Sequence, residues 1–167
     1  LSHKAWMDEI ARRKAKYPIV VSSEAQRPKQ IIDALNEELP PDSFVCTEVG
    51  QHQMWASQFL NHVEPGHFIT SGGLGTMGFG TGAAIGTQFG NPKAKVVSIA
   101  GDGSFKMNCN ELATIARYGL PIVIFIMNNH TLGMVRQWQN FFYENRYSET
   151  TLDTEIDWIM LARAYGV

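Results

Sequence analysis

Cysteine is scarce: the 167 residues contain two, Cys46 and Cys109, and neither stands in a metal-ligand or disulfide-framework spacing. That excludes a disulfide-stapled secreted module and a zinc knuckle, and makes a reducing cytoplasm the expected setting. No apolar run approaches the roughly 20 residues needed to cross a bilayer, and no charged-then-apolar leader is visible, so a soluble, unexported protein is expected. Blocks of like charge are missing as well. Fourteen basic side chains face sixteen acidic ones, for a formal net charge of −2. A nucleic-acid footprint or an anionic-membrane surface needs clustered positive charge, so neither partner is expected. No internal repeat or low-complexity tract is present, and the expected partner is a small molecule.

The length suits about one domain, enough to bury roughly two thirds of the unfolded surface in one core. Residues 1–27 read as a surface helix followed by an extended interdomain linker: Trp6 and Ile10 sit among dense charges between Ser2 and Lys16. Residues 28–167 read as one compact domain, truncated at its C-terminus. The chain starts at Leu1 and stops at Tyr165-Gly166-Val167, where a helical pattern is giving way, so a piece of a longer polypeptide is expected.

Within that domain the pattern alternates. Pro28 suits a first helical turn, Ile31, Ile32, Leu35 and Leu39 recur at helical spacing, and Pro40-Pro41-Asp42-Ser43 ends the run. Phe44 to Thr47 predicts a short buried strand, the segment through Met54, Trp55 and Phe59 a helix, and Phe68 to Thr70 a brief strand. Seven glycines follow between Gly72 and Gly86, and Ala83-Ala84-Ile85 predicts a tightly packed helix in the second half of that stretch. Lys95 to Ala100 and Ile122 to Met127 predict two further strands. Between them Asn108, with Glu111 three residues on, predicts a capped helix with Leu112, Ile115 and Ala116 on its apolar face, closed by Gly119 and Pro121. Strand, helix, strand implies parallel pairing with a right-handed crossover. The fold class is therefore α/β, a parallel sheet with helices on both faces.

The chemistry concentrates at two strand ends. Gly101-Asp102-Gly103 follows a nearly continuous apolar strand, and Asn128-Asn129 follows the next one, with Asp102 and Asn129 27 residues apart. Open parallel sheets bind ligands at their carboxyl edge. A carboxylate, a side-chain carbonyl and a backbone carbonyl near Thr131 are oxygen ligands of the kind Mg²⁺ prefers, and this ion leaves coordination positions for phosphate oxygens and water. Gly103 and Ser104 fall where backbone and hydroxyl donors meet a phosphate at a helix start. Each motif alone is also a common turn; together, across one βαβ unit, they point to a metal–diphosphate clamp. The histidines His52, His62, His67 and His130 lack paired ligand spacing, and no nucleophile triad is legible.

Gly101-Asp102-Gly103 with Asn128-Asn129 at this separation resembles the thiamine diphosphate motif, and Glu111-Leu112-Ala113-Thr114 and Gly119-Leu120-Pro121 strengthen the match. Glu48-Val49-Gly50-Gln51-His52-Gln53-Met54-Trp55, Gly73-Leu74-Gly75-Thr76-Met77-Gly78 and Leu132-Gly133-Met134-Val135 with Gln137-Trp138 narrow it to the catalytic large subunits of acetohydroxyacid (acetolactate) synthases. The resemblance runs from about Pro28 to the end and implies the pyrophosphate-type (PP) domain of the thiamine-diphosphate-binding fold. It implies Asp102, Asn129 and the Thr131 carbonyl as metal ligands, and Val49, Gly50, Gln51, His52, Gly103 and Ser104 as the diphosphate cradle. It further implies Met77 as the apolar prop beneath the bent cofactor and the Gly75 carbonyl as acceptor for its amino group. Met134 and Trp138 resemble the wall that favours 2-ketobutyrate over pyruvate as second substrate. A methylene in an apolar pocket is worth about 1–3 kcal/mol, so such a wall discriminates modestly.

In that family pyruvate is decarboxylated and its two-carbon unit is joined to a second 2-keto acid, on the route to branched-chain amino acids. The resemblance also implies features outside this chain: an activating glutamate on a pyrimidine-type domain of a neighbouring subunit, a flavin (FAD) on a central domain, a homodimer or tetramer, and a regulatory subunit. No catalytic side chain is expected here, and the chain alone is expected to be inactive. Three other readings stay open on the residues: another thiamine-dependent decarboxylase or carboligase, a nucleotide-binding Rossmann protein, whose glycine fingerprint the Gly72 to Gly82 series fits poorly, and a non-catalytic binding module.

Overall fold

The computed structural model describes residues 2–21, 26–61, 64–152 and 155–167. Helix α1 (Lys4–Lys16) buries none of its side chains and is laced by Lys4 to Asp8 and by Glu9 to Arg12 and Arg13. Residues 17–21 continue without helix or strand. Helix α2 (Gln26–Glu38) then begins, with Pro28 inside its first turn, where a missing N–H costs nothing.

The remaining elements follow as β1 (Phe44–Thr47), α3 (Gln51–Phe59), β2 (Phe68–Thr70), α4 (Phe79–Gly90), β3 (Val96–Gly101), the short α5 (Asp102–Lys106), a 3₁₀ turn at Cys109–Glu111, α6 (Leu112–Tyr118), β4 (Val123–Met127), α7 (Gly133–Phe142) and α8 (Trp158–Tyr165). Among the described residues the strands form one parallel sheet in the order β2-β1-β3-β4. Two-residue periodicity divides it into two cores. Cys46, Val96, Ala100, Ile124 and Ile126 face Ala84, Ile85, Leu112 and Ile115 of α4 and α6. Val45, Val97, Ile99, Phe125 and Met127 face Ile32, Ala56 and Leu60 from the α2–α3 side. Central β3 is buried on both faces, which explains why it reads as a nearly continuous apolar run, interrupted by Ser98.

The chain moves one way from β1 to β2 with α3 on one face, then the other way from β2 across to β3 and on to β4 with α4 and α6 on the opposite face. This reversal follows from right-handed crossovers. It puts a topological switch point between β1 and β3, and an open crevice beyond their carboxyl ends.

One sequence expectation is corrected here. Asn108 does not cap the helix that carries Leu112: a 3₁₀ turn intervenes, and the Asn108 amide donates to the Gly78 carbonyl at 3.1 Å. Asp102 follows β3 directly, as expected, and opens the five-residue helix α5. The other expected elements stand within a few residues of their predicted bounds, including the Gly119 cap of α6, with a left-handed φ of 57°. His62 lies outside the described residues. No helix among the described residues is long and apolar enough to cross a membrane.

Candidate thiamine diphosphate and metal site

The loops after β1, β3 and β4 meet in the crevice around a cavity of about 230 Å³. After β1, Val49, Gly50, Gln51 and His52 line it. The Gly72–Gly78 loop contributes Gly75 and Met77, and the region after β3 contributes Gly101, Gly103 and Ser104. From β4 onward come Met127, Asn129, Thr131, Leu132, Gly133 and Met134. Thus eleven of the thirteen residues singled out from sequence line one cavity, the two exceptions being Asp102 and Trp138.

Asp102 lies just behind the lining, 4% exposed, where its Oδ1 accepts the Asn129 N–H at 3.4 Å. That contact ties the ends of β3 and β4 together. The Asn129 Oδ1 in turn accepts the Thr131 N–H at 3.1 Å, and His130 adopts a left-handed φ of 54° to make the turn. The His130 carbonyl is taken by Leu152 N, whereas no protein donor meets the Thr131 carbonyl among the described residues. One carboxylate and two carbonyl oxygens therefore sit on consecutive turns of a rigid edge. No group of three or more His, Cys, Asp or Glu side chains that could hold a metal occurs among the described residues. A single carboxylate with neutral oxygens suits a hard ion that takes its remaining ligands from phosphate.

The cradle is built by close approach. A Cβ on Gly103 would fall 2.5 Å from Leu132 Cδ2, and one on Gly101 would fall 2.9 Å from His52 Nδ1. The backbone at both positions is exposed to a neighbour only because the side chain is absent. The N-terminus of α3 opens toward the cavity with Gln51 and His52 in its first turn, a favourable place for an anion. Ser104 differs from expectation in its hydroxyl, which donates to the Gly101 carbonyl at 3.1 Å and is within 3.2 Å of the Gly101 N–H. It stiffens the turn and leaves the main chain to face a ligand.

His52 is 5% exposed and its Nε2 has no hydrogen-bond partner among the described residues. A buried, unpaired ring nitrogen costs free energy unless something polar meets it. Its position in the cavity wall makes a bound polar group the natural partner. Burial pushes its pKa from 6.5 down to about 4, against the smaller upward pull of the Glu48 backbone. The unfolded chain thus binds a proton that the folded chain refuses between those values. Without a ligand, stability is full above about pH 6.5 and falls as pH drops toward about 4, by on the order of 3 kcal/mol. Replacing His52 with Gln flattens that slope, which urea-unfolding midpoints measured at about pH 7.5 and about pH 5 will show.

Met77 is half-buried in the wall, and Gly75, with φ 69°, is fixed by its N–H to the Ser71 carbonyl at 3.1 Å. Met134 lines the cavity from the first turn of α7. Trp138, one turn on, does not: it is 59% exposed and packs edge-to-face against Phe142 at 5.4 Å. Four residues along a helix share a face, but here only the first reaches the crevice.

Sequence reasoning missed Glu48 as more than a member of a motif. Its side chain is fully buried, Oε2 accepting the Gly78 N–H at 2.7 Å and Oε1 the Thr81 N–H at 3.1 Å. The carboxylate therefore occupies the N-terminus of α4. A Rossmann protein would place a ligand phosphate at the helix that follows its glycine-rich turn, and here the protein's own anion fills that place. Only the acid's position immediately after a strand hinted at this.

The fold and this crevice define an α/β domain with a ligand site at the carboxyl edge of its parallel sheet. Residues 48–167 match the family of the thiamine pyrophosphate enzyme, C-terminal TPP binding domain, and the chain belongs to that family. Among individual proteins it is similar to acetolactate synthase large subunits. It is 53% identical to isozyme 2 of Escherichia coli (strain K12) over 137 residues, which are 82% of this chain and 25% of that protein. With the large subunit of Parasynechococcus marenigrum it shares 49% over 98% of its own length and 27% of the relative's. With that of Lactococcus lactis the figures are 42%, 97% and 28%. The chain thus spans roughly a quarter of the length of these curated relatives.

Proposed function

We propose that this chain holds the magnesium–diphosphate end of thiamine diphosphate for an acetolactate synthase, which decarboxylates pyruvate and joins the two-carbon unit to a second 2-keto acid. One observation carries the reading: Asn129 and His52, with its unpaired Nε2, line one crevice at the switch point, and the Asp102 carboxylate sits just behind that wall, bound to the Asn129 N–H. When bound, thiamine diphosphate supplies the carbanion chemistry. Asp102, Asn129 and the Thr131 carbonyl hold Mg²⁺, while the α3 N-terminus and the Gly103–Ser104 backbone receive the phosphates. Met77 and the Gly75 carbonyl meet the ring half, and Met134 forms the apolar wall facing the substrate.

At about 230 Å³ the cavity is smaller than the roughly 300–1,000 Å³ typical of small-molecule sites. That supports a cofactor envelope completed by another domain, which brings the activating glutamate. By the same reading the full-length protein is cytoplasmic, binds FAD elsewhere and assembles as a homodimer or tetramer. A small regulatory partner accords with the words "large subunit" in the relatives' names.

Calorimetry and product analysis test this together. The full-length protein is expected to bind thiamine diphosphate only with Mg²⁺ and to form acetolactate from pyruvate, and the isolated chain to form none. Magnesium-independent binding, or acetolactate made by the isolated chain, contradicts the reading.

A further inference from the structure

Glu48 has no role in the chemistry just described, yet it is fully buried at the edge of the crevice. Burying a carboxylate is costly unless it is well paired. Its partners all lie on one segment. Oε2 accepts the Gly78 N–H at 2.7 Å, and Oε1 accepts the Thr81 N–H at 3.1 Å and faces the Thr81 hydroxyl at 3.5 Å. The Gly80 backbone also stabilises the charged form. Burial, the largest influence, leaves the Glu48 pKa raised overall, and these donors oppose it in part. A ring of N–H groups at a helix start is a site for an anion, and here the anion is covalently part of β1's end.

The other side of the same turn is held as well. Gly78, in a left-handed conformation with φ 85°, has its carbonyl bonded by the Asn108 amide at 3.1 Å. Both main-chain polar groups of Gly78 are therefore fixed, one from each side of the crevice. The loop that ends at Gly78 carries Gly75 and Met77. Its beginning is fixed by Ser71, whose hydroxyl accepts the Thr76 N–H at 3.0 Å.

We infer that Glu48 is a positioning residue, which holds the Gly72–Gly78 loop at the height where Gly75 and Met77 meet the ring half of the bound cofactor. This rests on the thiamine diphosphate reading of the site. Glu48 acts through the loop and touches no ligand. The diphosphate end is gripped by α3, α5 and the Asp102–Asn129 pair; of these only the segment just after α5 touches Gly78, through Asn108.

That separation gives the test. In the full-length protein Glu48→Gln keeps the shape but turns an NH₂ toward backbone N–H donors. Thiamine diphosphate affinity with Mg²⁺, measured by calorimetry, is expected to fall at least tenfold, while affinity for magnesium pyrophosphate stays within about twofold. Hydrogen exchange in a peptide covering 72–81 is expected to quicken at least tenfold, with β3 unchanged. Glu48→Asp, which retains the charge, should recover part of the lost affinity. A variant that loses both ligands in proportion, or loses neither, overturns the inference and leaves the cofactor reading standing. An unaltered protein that takes up neither ligand overturns both.

Discussion

Asp102→Ala abolishes magnesium-dependent retention of thiamine diphosphate in the full-length protein, with the fold left intact. Among the proposed ligands Asp102 supplies the only negative charge; Asn129 and Thr131 offer neutral oxygens. A divalent ion whose protein ligands are all neutral is held by the ligand phosphates alone, and the loss is expected to exceed about a hundredfold in apparent affinity, about 3 kcal/mol or more. The structural cost is small by comparison. Among the described residues the carboxylate's hydrogen-bond partner is the Asn129 N–H at 3.4 Å, a long hydrogen bond, and its favourable place at the start of α5 is worth about 0.3–1 kcal/mol. Asp102→Asn keeps an oxygen and removes the charge, so its affinity should fall between the two. Equilibrium dialysis with and without Mg²⁺ measures all three; retention by the alanine variant at the unaltered level would remove the metal argument.

Gly80→Ala should give the largest loss of stability. Helix α4 meets the end of β1 so closely that a Cβ on Gly80 would lie 2.6 Å from Glu48 N, 2.8 Å from Thr47 C and 2.9 Å from Thr47 O. All three are main-chain atoms of a paired segment, and none is a flexible side-chain end. The start of α4 must then lift off the sheet, breaking the Gly78 and Thr81 bonds to Glu48. A loss of about 3 kcal/mol or more is expected, or no soluble protein. Gly82→Ala is the matched control two residues along the same helix. Its Cβ would meet nothing within 4 Å, so the gain in helix propensity of about 1 kcal/mol should raise the urea midpoint. Equal effects at both positions would refute the close-approach argument.

The sheet and its two layers of helices were legible because the signal is local and strong. Val96 to Ala100 is apolar but for Ser98, Phe44 to Thr47 and Val123 to Met127 are short, largely apolar runs, and Gly119 marks a helix end by conformation. The clustering of Asp102 with Asn129 followed from topology, since parallel strands joined by one helix end at the same edge. What escaped prediction depends on partners distant in sequence. Asn108 looks like a cap for the residues just after it, but Gly78, 30 positions earlier, claims its amide. Glu48 looks like part of a glycine turn until α4 is seen to begin against it. Trp138 shares a helical face with Met134, yet the crevice ends before the second turn of α7. Helix α5, with five residues, is too short for any periodicity to announce.

The occupied start of α4 also gives the crevice a direction. The start of α3 faces the cavity, whereas the start of α4 is already filled by the buried Glu48 carboxyl. Two helix ends that could have competed for one charge are thereby made unlike. An anionic tail therefore has one open helix start to seat against, at α3, and a molecule carrying such a tail is oriented by it before its ring end is recognised.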